Sequence, residues 1–394
     1  EIGDLKCKMT DDGCYPAQST VKIKFYGYIK LDASYDNARI SDGNYAKWVE
    51  APGGRRYDDE VNITARQSRF GMIFKGPDFG DATTSAQVEV DFYEGTTENK
   101  NQPYMRHAYM ELKWKDKDFS LLAGQTWDVI APLFTPTVNY SVAWWAGDIG
   151  YRRPQIRVTK GFGSKDSAYS ELTLAVARMI GDSATDSTGV TRTDPGDTGE
   201  DATLPCLQGR FSVSFPFGGK RATLGVSGHW SEEEYDYDLL DHSIDVRSWS
   251  GNIDLSLPVT DAVTAQGEAF IGENLDAYLG GIGQGIATTR DVNNVVTKVT
   301  AIKSRGGWGA LSIKPADSNF SYNVGASSDH ISEHDAQMMT GNPRLTNFSA
   351  FGNVWYKINS AASWGFEISR WRTKYKTGDP GNSLRFQTSF MFKF

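Results

Sequence analysis

The last twelve residues, 383–394, alternate between two kinds of side chain. One parity is apolar and largely aromatic: Leu384, Phe386, Thr388, Phe390, Phe392 and Phe394. The other parity is mostly polar: Arg385, Gln387, Ser389, Met391 and Lys393. Successive side chains of a β-strand point to opposite faces. The stretch therefore predicts a strand with one apolar face that another sheet or lipid must cover.

The rest of the chain decides between these two coverings. A soluble protein would bury the apolar face against a second sheet, whereas a strand of an outer-membrane barrel turns it toward lipid. A terminal Phe is typical of such barrels. No run approaches the roughly 20 apolar residues of a membrane-spanning helix, so a helical membrane protein is excluded.

Alternating segments predict sixteen strands along the 394 residues. They are residues 21–35, 61–75, 85–94, 104–115, 119–127, 153–160, 168–180, 206–216, 221–234, 242–257, 262–274, 303–314, 319–333, 343–358, 362–376 and 383–394. In the third strand one face carries Gln87, Glu89 and Asp91, which need water. The parity of the second strand is unclear near residues 67–73, which predicts a bulge there.

The connections between these strands alternate in length. Short turns rich in Gly, Pro, Asp and Asn follow one end of the strands, and long connections follow the other. This alternation is typical of outer-membrane barrels, and sixteen strands leave an aqueous lumen. The sequence therefore predicts an all-β fold: a transmembrane antiparallel barrel over residues 21–394, preceded by a periplasmic segment, residues 1–20.

The connection 128–152 is too apolar and aromatic to lie in water. Pro132 and Pro136 argue against an ordinary strand. We expect it to fold inward as a constriction loop; the alternative is a loop packed over the barrel mouth or into a subunit interface. Its candidate site residues are Asp128, Phe134, Tyr140, Trp144, Trp145 and Asp148.

Basic residues are predicted to face this loop across the lumen. Parity turns Arg153, Arg157 and Arg210 inward, whereas Arg69 has Arg66 as its alternative if the register slips. The candidate anion-binding residues are Arg69, Arg106, His107, Arg153, Arg157 and Arg210. Arginine rings are a usual device of anion pores, and the guanidinium fork pairs with carboxylates. The alternative is that these arginines only brace the lumen by pairing with Asp128, Asp148, Glu89 and Asp91.

Other features exclude functions or leave alternatives open. The net charge of −8 argues against a nucleic-acid partner. Nucleophile-elbow, zinc-protease and phosphate-loop motifs are absent, so no enzyme, cofactor or metal is predicted. Cys7 and Cys14 form either a disulfide in an oxidising periplasm or two unpaired thiols, and Cys206 stands alone. The acidic runs 194–201 and 232–238 are predicted as solvated loop charge, or as divalent-cation bridges to lipopolysaccharide phosphates.

Four stretches resemble the DcaP-like porins of Gram-negative bacteria. They are ARQSRFGM at 65–72, MRHAYMEL at 105–112, LLAGQTW at 121–127 and RPQIR at 153–157, with weaker support from the glycine cluster 280–285. The resemblance implies a homotrimeric, sixteen-stranded outer-membrane porin that passes small anions such as dicarboxylates, with Arg69, Arg106, Arg153 and Arg157 in a basic pore lining. It covers mainly the first 160 residues. Family members often carry an N-terminal coiled coil, whereas about twenty polar residues precede the barrel here.

The sequence thus favours a passive diffusion channel in contact with the lipid bilayer and lipopolysaccharide. One alternative is a barrel with a plugged lumen that acts as a receptor or binding protein. Another is a soluble β protein that binds glycans through its many Trp and Tyr side chains.

Overall fold

The computed structural model describes residues 7–10, 13–16, 20–53, 58–94, 101–181, 199, 202–237, 242–292 and 296–394. The strands are β1 (Cys7–Thr10), β2 (Gly13–Pro16), β3 (Lys22–Asp36), β4 (Glu60–Thr64), β5 (Arg69–Lys75), β6 (Thr83–Glu94), β7 (Gln102–Trp114), β8 (Phe119–Trp127), β9 (Arg152–Gly163), β10 (Tyr169–Ala177), β11 (Cys206–Phe217), β12 (Lys220–Tyr237), β13 (His242–Pro258), β14 (Val263–Glu273), β15 (Ile286–Arg290), β16 (Val296–Ala301), β17 (Lys303–Ile313), β18 (Phe320–Ile331), β19 (Arg344–Lys357), β20 (Ala362–Tyr375) and β21 (Gly381–Lys393). One short α-helix, α1 (Glu333–Met338), and two 3₁₀ turns, Lys115–Lys117 and Asp276–Tyr278, are also described.

The strands form a closed antiparallel barrel. From β3 to β21 each barrel strand pairs with the next, the β15–β16 hairpin standing outside the ring. Closure comes from β21 pairing with β3, in a register that runs from Arg385 opposite Asp36 to Lys393 opposite Tyr28. Because β4 and β5 share one position, the described strands fill sixteen positions, which confirms the predicted fold.

The two faces of the wall have opposite character. Phe390, Phe392 and Phe394 are each more than half exposed on the outside. Arg385 and Gln387, of the other parity, are at most 2 % exposed and lie inside. An apolar exterior around a polar interior is the arrangement of a transmembrane barrel, and it agrees with the parity predicted for the last strand. Among the described residues, no helix has the length and apolar character needed to cross a membrane.

Short and long connections lie at opposite ends of the barrel. The β11–β12 turn is a two-residue loop in which Gly218 and Gly219 both have positive φ, as tight hairpins require. At the other end lie the connections 37–59, 128–151 and 274–302. The predicted second strand, 61–75, is interrupted between Thr64 and Arg69, where a bulge is expected. The β15–β16 hairpin, in contrast, lies within a stretch predicted as plain loop.

Two other predictions meet the structure only in part. The acidic stretch 232–238 is wrong as a loop, because β12 continues to Tyr237 and Glu233 is buried, accepting hydrogen bonds from Asn274 and Tyr235. The run 194–201 lies outside the described residues except for Gly199. In the N-terminal segment β1 pairs with β2, placing Cys7 opposite Pro16 and Cys14 opposite Met9. The side chains of both cysteines lie outside the description, so the disulfide stays a prediction.

Candidate functional site

The inward loop, residues 128–151, crosses the lumen as predicted. Its backbone N–H groups at Val129, Leu133 and Val138 donate hydrogen bonds of 2.9, 2.8 and 2.6 Å to wall side chains. The acceptors are Gln208 on β11, Glu268 on β14 and Glu367 on β20. Because these strands are spread around the barrel, polar groups on the inner wall hold the loop away from its own hairpin.

The backbone of the inward loop is bent sharply. Val142, Ala143 and Trp145 have φ values of 44°, 66° and 60°, a region that side chains with a Cβ seldom occupy and β-branched ones least of all. Such conformations persist where the surroundings over-determine them. At Gly147 (φ 126°) an added Cβ would lie 2.4 Å from the Gly307 carbonyl oxygen on β17. The loop backbone therefore packs directly on the wall.

Two further connections meet the inward loop inside the barrel. Ser141 Oγ donates to the carbonyl of Ala46, and Ala46 N–H donates to Asn139 Oδ1 at 3.1 Å. On the other side, Trp145 N–H donates to the Leu279 carbonyl at 2.7 Å. Parts of connections 37–59 and 274–302 thus share the lumen with the loop. The sequence predicted only one inward connection, because these two are too polar to mark themselves as buried.

Aromatic side chains fill the space around the loop. Tyr140 stacks on Tyr93 with ring centroids 3.8 Å apart and meets Tyr45 edge-on at 5.4 Å. Trp144 packs on Trp127, the last residue of β8, at 5.7 Å. Burial raises the pKa of both Tyr45 and Tyr140 above the ordinary tyrosine value, so these phenols stay neutral hydrogen-bond donors.

A cluster of charged side chains faces the loop from the wall. Glu89 Oε1 lies 2.8 Å from Arg106 Nε, 3.5 Å from Arg69 Nε and 3.8 Å from His107 Nε2. Arg106 Nη1 also contacts Asp91 Oδ2 at 2.7 Å. We call Arg69, Glu89, Asp91, Arg106 and His107 the eyelet cluster. It unites three of the six predicted anion-binding residues, and it forms the Glu89 and Asp91 pairs that the alternative interpretation expects.

A β-bulge places two consecutive residues in the eyelet cluster. The β6–β7 register jumps from Glu89 opposite His107 to Val90 opposite Met105, so Arg106 is an extra residue in its strand. Arg106 is 4 % exposed, whereas Met105 is 48 % exposed on the outside. Bulges re-aim side chains in this way. Regular alternation would have turned one of Arg106 and His107 toward lipid.

Arg153 faces inward but is not exposed to the lumen, contrary to the predicted pore lining. Its side chain is completely buried, and Nε contacts Asp128 Oδ1 at 2.8 Å. The guanidinium lies 4.1 Å from the ring centroid of Tyr278, and Nη2 donates to the Ala277 carbonyl at 3.1 Å. Burial raises the pKa of Asp128, and the positive charge of Arg153 opposes that rise. We call Asp128 and Arg153 the anchoring ion pair of the inward loop, because they join the first residue of the loop to β9.

The remaining two predicted arginines also lie outside the eyelet cluster. Arg157 points inward and donates hydrogen bonds to Gln155 Oε1, at 3.0 Å, and to the Trp127 carbonyl. Arg210 points inward as well, but its Nε and Nη2 donate to the two carboxylate oxygens of Asp254, at 3.0 and 2.7 Å. These two arginines brace the wall.

Sequence analysis did not predict Arg152 as a site residue. Only 3 % of it is exposed, and it makes no ion pair within the described part of the chain; its Nε and Nη1 also lack hydrogen-bond partners there. Its guanidinium lies 4.6 Å from the ring centroid of Trp127 and 5.4 Å from that of Tyr104. At the first position of β9, Arg152 gave no signal, because parity assigned the inward role to Arg153.

A cavity of about 310 Å³ separates the eyelet cluster from the inward loop. Its lining comprises Tyr28, Gln67, Arg69, Glu89, Arg106, His107 and Trp127 from the wall, and Phe134, Tyr140, Val142 and Trp144 from the loop. A second cavity, of about 520 Å³, borders Pro136 and Thr137 of the loop and the short-turn ends of β14 and β17–β21. Trp145 and Asp148 line neither cavity.

Among the described residues, Asp148 pairs with no arginine, contrary to the bracing alternative. It is 1 % exposed, and neither of its carboxyl oxygens has a hydrogen-bond partner among the described residues. Burial and the neighbouring Glu268 carboxyl raise the pKa of Asp148 well above its ordinary range. A carboxyl pair of this kind is stable when it holds a proton.

Comparison with known proteins rests on solved structures, because no family model and no curated protein matches the chain. The outer membrane channel DcaP of Acinetobacter baumannii superposes with a TM-score of 0.74 at 18 % identity, over 96 % of this chain and 99 % of that one. The chain has the fold of an outer-membrane porin. This finding confirms the resemblance to DcaP at the level of the fold.

Two other structures share the porin fold. An anion-selective porin from Comamonas acidovorans has a TM-score of 0.56 at 10 % identity, over 95 % of this chain and 100 % of that one. The trimer form of OmpT, an outer membrane protein of Vibrio cholerae, has a TM-score of 0.54 at 10 % identity, with the same coverage. At such low identity the porin fold is what these proteins have in common with the chain.

Proposed function

We propose that this protein is an outer-membrane diffusion channel, not an enzyme, and that it favours small anions of the dicarboxylate type. The observation that carries the proposal is the cavity between the eyelet cluster and the inward loop, which guanidinium groups border on the wall side. Together with Arg152, the cluster holds three guanidinium groups against the carboxylates Glu89 and Asp91. One positive charge is therefore in excess at the narrow part of the lumen.

The same arrangement explains how an anion would pass. The fork of Arg69 is only partly engaged, because its Nε lies 3.5 Å from Glu89 and its side chain is 22 % exposed. A solute carboxylate would find a donor there, while Glu89 keeps the attraction weak enough for release. Conduction needs binding that favours entry without trapping the ion. Phe134, Val142 and Trp144 on the opposite side limit the size of the solute.

The assembly belongs to the same proposal. DcaP is an outer membrane channel, the Comamonas protein is anion-selective, and OmpT has a trimer form. We infer a homotrimer integral to the outer membrane, with solutes entering at the long-loop end.

Reversal potentials in planar bilayers under a salt gradient test the proposal. We expect anion preference in the wild-type channel, current block by added succinate, and loss of both on Arg69→Gln. Arg210→Gln is the matched control, since Arg210 also points into the lumen but is neutralised by Asp254. Equal selectivity in the wild type and Arg69→Gln would reject the role of the eyelet cluster.

One observation favours a second candidate, a binding protein with a closed lumen. Three connections pack against one another inside the barrel through Ala46, Ser141, Trp145 and Leu279. Stepwise single-channel conductance separates the two functions. A protein that binds succinate but conducts no ions would be a receptor.

A further inference from the structure

Basic side chains cover one area of the outer wall. They are Arg305 on β17, His330 on β18, and Arg370, Arg372 and Lys374 on β20. We call these five residues the outer basic patch. Their neighbours of opposite parity, Ser369, Trp371 and Thr373, are at most 2 % exposed and lie inside the barrel. The patch therefore projects away from the lumen and takes no part in the conduction path.

The patch begins where the apolar band of the wall ends. Arg370 lies opposite Leu384 in the β20–β21 ladder, and the next outward-facing pair toward the short turns is Ile368 opposite Phe386. Ile368 is 42 % exposed on the outside. Arg372 and Lys374 follow toward the long-loop end, with each second residue about 7 Å further along the strand. Because long loops of such barrels face the cell exterior, the patch lies at the head-group depth of the outer leaflet.

Most of the positive charge of the patch is uncompensated. Within the described part of the chain, Arg305, Arg370 and Arg372 make no ion pair, and Lys374 reaches only the exposed Glu333, at 3.5 Å. The outer face of β12 and β13 differs, because there Glu232 lies directly opposite Arg247. Three unpaired guanidinium groups together on a membrane-facing wall would be costly unless a ligand neutralised them.

A groove with apolar sides accompanies the patch. Two adjoining hollows, of about 440 and 620 Å³, share His330 and Thr346. The smaller is lined by Phe348, Arg370 and Arg372. The larger is lined by Ile271 and Arg305, and also by Lys303, Glu273 and Glu333. Charge at head-group depth beside an apolar groove matches an amphiphile that has an anionic head.

We propose that the outer basic patch binds the phosphate groups of the glycolipid of the outer leaflet, lipopolysaccharide. Guanidinium groups hold phosphate oxygens through paired hydrogen bonds, and basic residues at a membrane surface attract anionic head groups. The acyl chains would lie in the groove and against the apolar wall below it. This contact needs no divalent cation, in contrast to bridging through acidic loops.

The test measures binding of purified lipid A to the detergent-solubilised protein by native mass spectrometry, with EDTA present. The variant is Arg305→Gln with Arg370→Gln and Arg372→Gln. We expect the dissociation constant to rise roughly 100-fold, the loss expected for three basic residues at a head-group surface. Lys115→Gln with Lys117→Gln and Lys220→Gln is the control, because it removes the same charge from exposed positions at the short-turn end. That variant should bind lipid A as the wild type does.

Several outcomes would overturn the proposal. An equal loss of binding in both variants would mean nonspecific attraction. Equal binding of lipid A and its dephosphorylated form would show that phosphate is not recognised. A change in oligomeric state of the patch variant with unchanged lipid binding would make the patch a contact between protein copies. Unchanged single-channel conductance in the patch variant confirms that the barrel is folded.

Discussion

The anchoring ion pair of the inward loop and the eyelet cluster both consist of arginines and carboxylates on the inner wall. They differ in the ratio of positive to negative groups and in their access to the lumen. In the anchoring ion pair one guanidinium contacts one carboxylate, and neither side chain has exposed surface. In the eyelet cluster, Glu89 receives two arginines and a histidine, and a cavity borders the group. An inward-pointing arginine can thus be either part of a structural ion pair or a ligand-binding group.

Physical chemistry explains why the difference matters. A buried ion pair contributes mainly by avoiding the cost of an unpaired charge. A partly engaged guanidinium beside a cavity can exchange its protein acceptor for a solute carboxylate. We therefore expect access and surplus charge, rather than direction alone, to identify the residues that act on solutes.

The largest expected effect on stability comes from breaking the anchoring ion pair. Arg153→Gln leaves the Asp128 carboxylate buried without its partner, which should lower the free energy of unfolding by about 3–5 kcal/mol. Urea unfolding of the refolded barrel in detergent checks this value. The double variant Asp128→Asn with Arg153→Gln should lose less, since no charge is stranded. If Arg153→Gln instead abolished anion selectivity in a fully stable barrel, the two regions would not differ as described.

A smaller loss is expected where backbone packing, rather than charge, holds the inward loop. Gly147→Ala forces a Cβ to within 2.4 Å of the Gly307 carbonyl oxygen, which should cost about 1–3 kcal/mol and displace the loop. Single-channel recordings should then show larger and noisier conductance. Gly378→Ala is the control, because Gly378 also has positive φ (83°) but open space around it. Identical conductance in the Gly147 variant and the wild type would show that the loop does not limit the current.

Arg152 sharpens the comparison from the other side. Arg152 is as buried as the anchoring ion pair but has no ion-pair partner among the described residues. The substitution Arg152→Gln should therefore leave the free energy of unfolding nearly unchanged. Removing its charge should reduce the anion-to-cation permeability ratio by about 2- to 15-fold, which Coulomb's law gives for an anion roughly 10 Å away at dielectric constants between those of water and of a protein surface. Reversal potentials measure this permeability ratio. Strong destabilisation with an unchanged ratio would show that Arg152 has a structural role, as Arg153 does.

The sequence predicts the barrel well because each strand repeats the same physical rule. Side-chain alternation, turn residues and the length of connections are local properties, so the parity of the last strand and a bulge near residues 67–73 could be predicted. The structure places the interruption slightly earlier, between Thr64 and Arg69. The eyelet cluster depends on long-range events that leave little local signal. The bulge at Arg106 changes a direction, and Asp128 neutralises Arg153 from a neighbouring connection. Which arginine has a partner is decided by tertiary packing.

The smallest expected effect on stability is at Asp148. This buried carboxylate has no arginine partner among the described residues, whereas Asp128 has one. Since burial and Glu268 raise the pKa of Asp148, the folded barrel binds a proton there that the unfolded chain releases above about pH 4. Stability attributable to this carboxyl is therefore greatest in acid and falls as the pH rises. Asp148→Asn removes that penalty, so its apparent unfolding temperature should exceed that of the wild type at pH 8 by on the order of 2 °C and match it near pH 3.5. Heat-induced loss of the folded band on semi-native gels measures both values. A difference that stays the same at the two pH values would mean that the effect comes from packing and not from the buried proton.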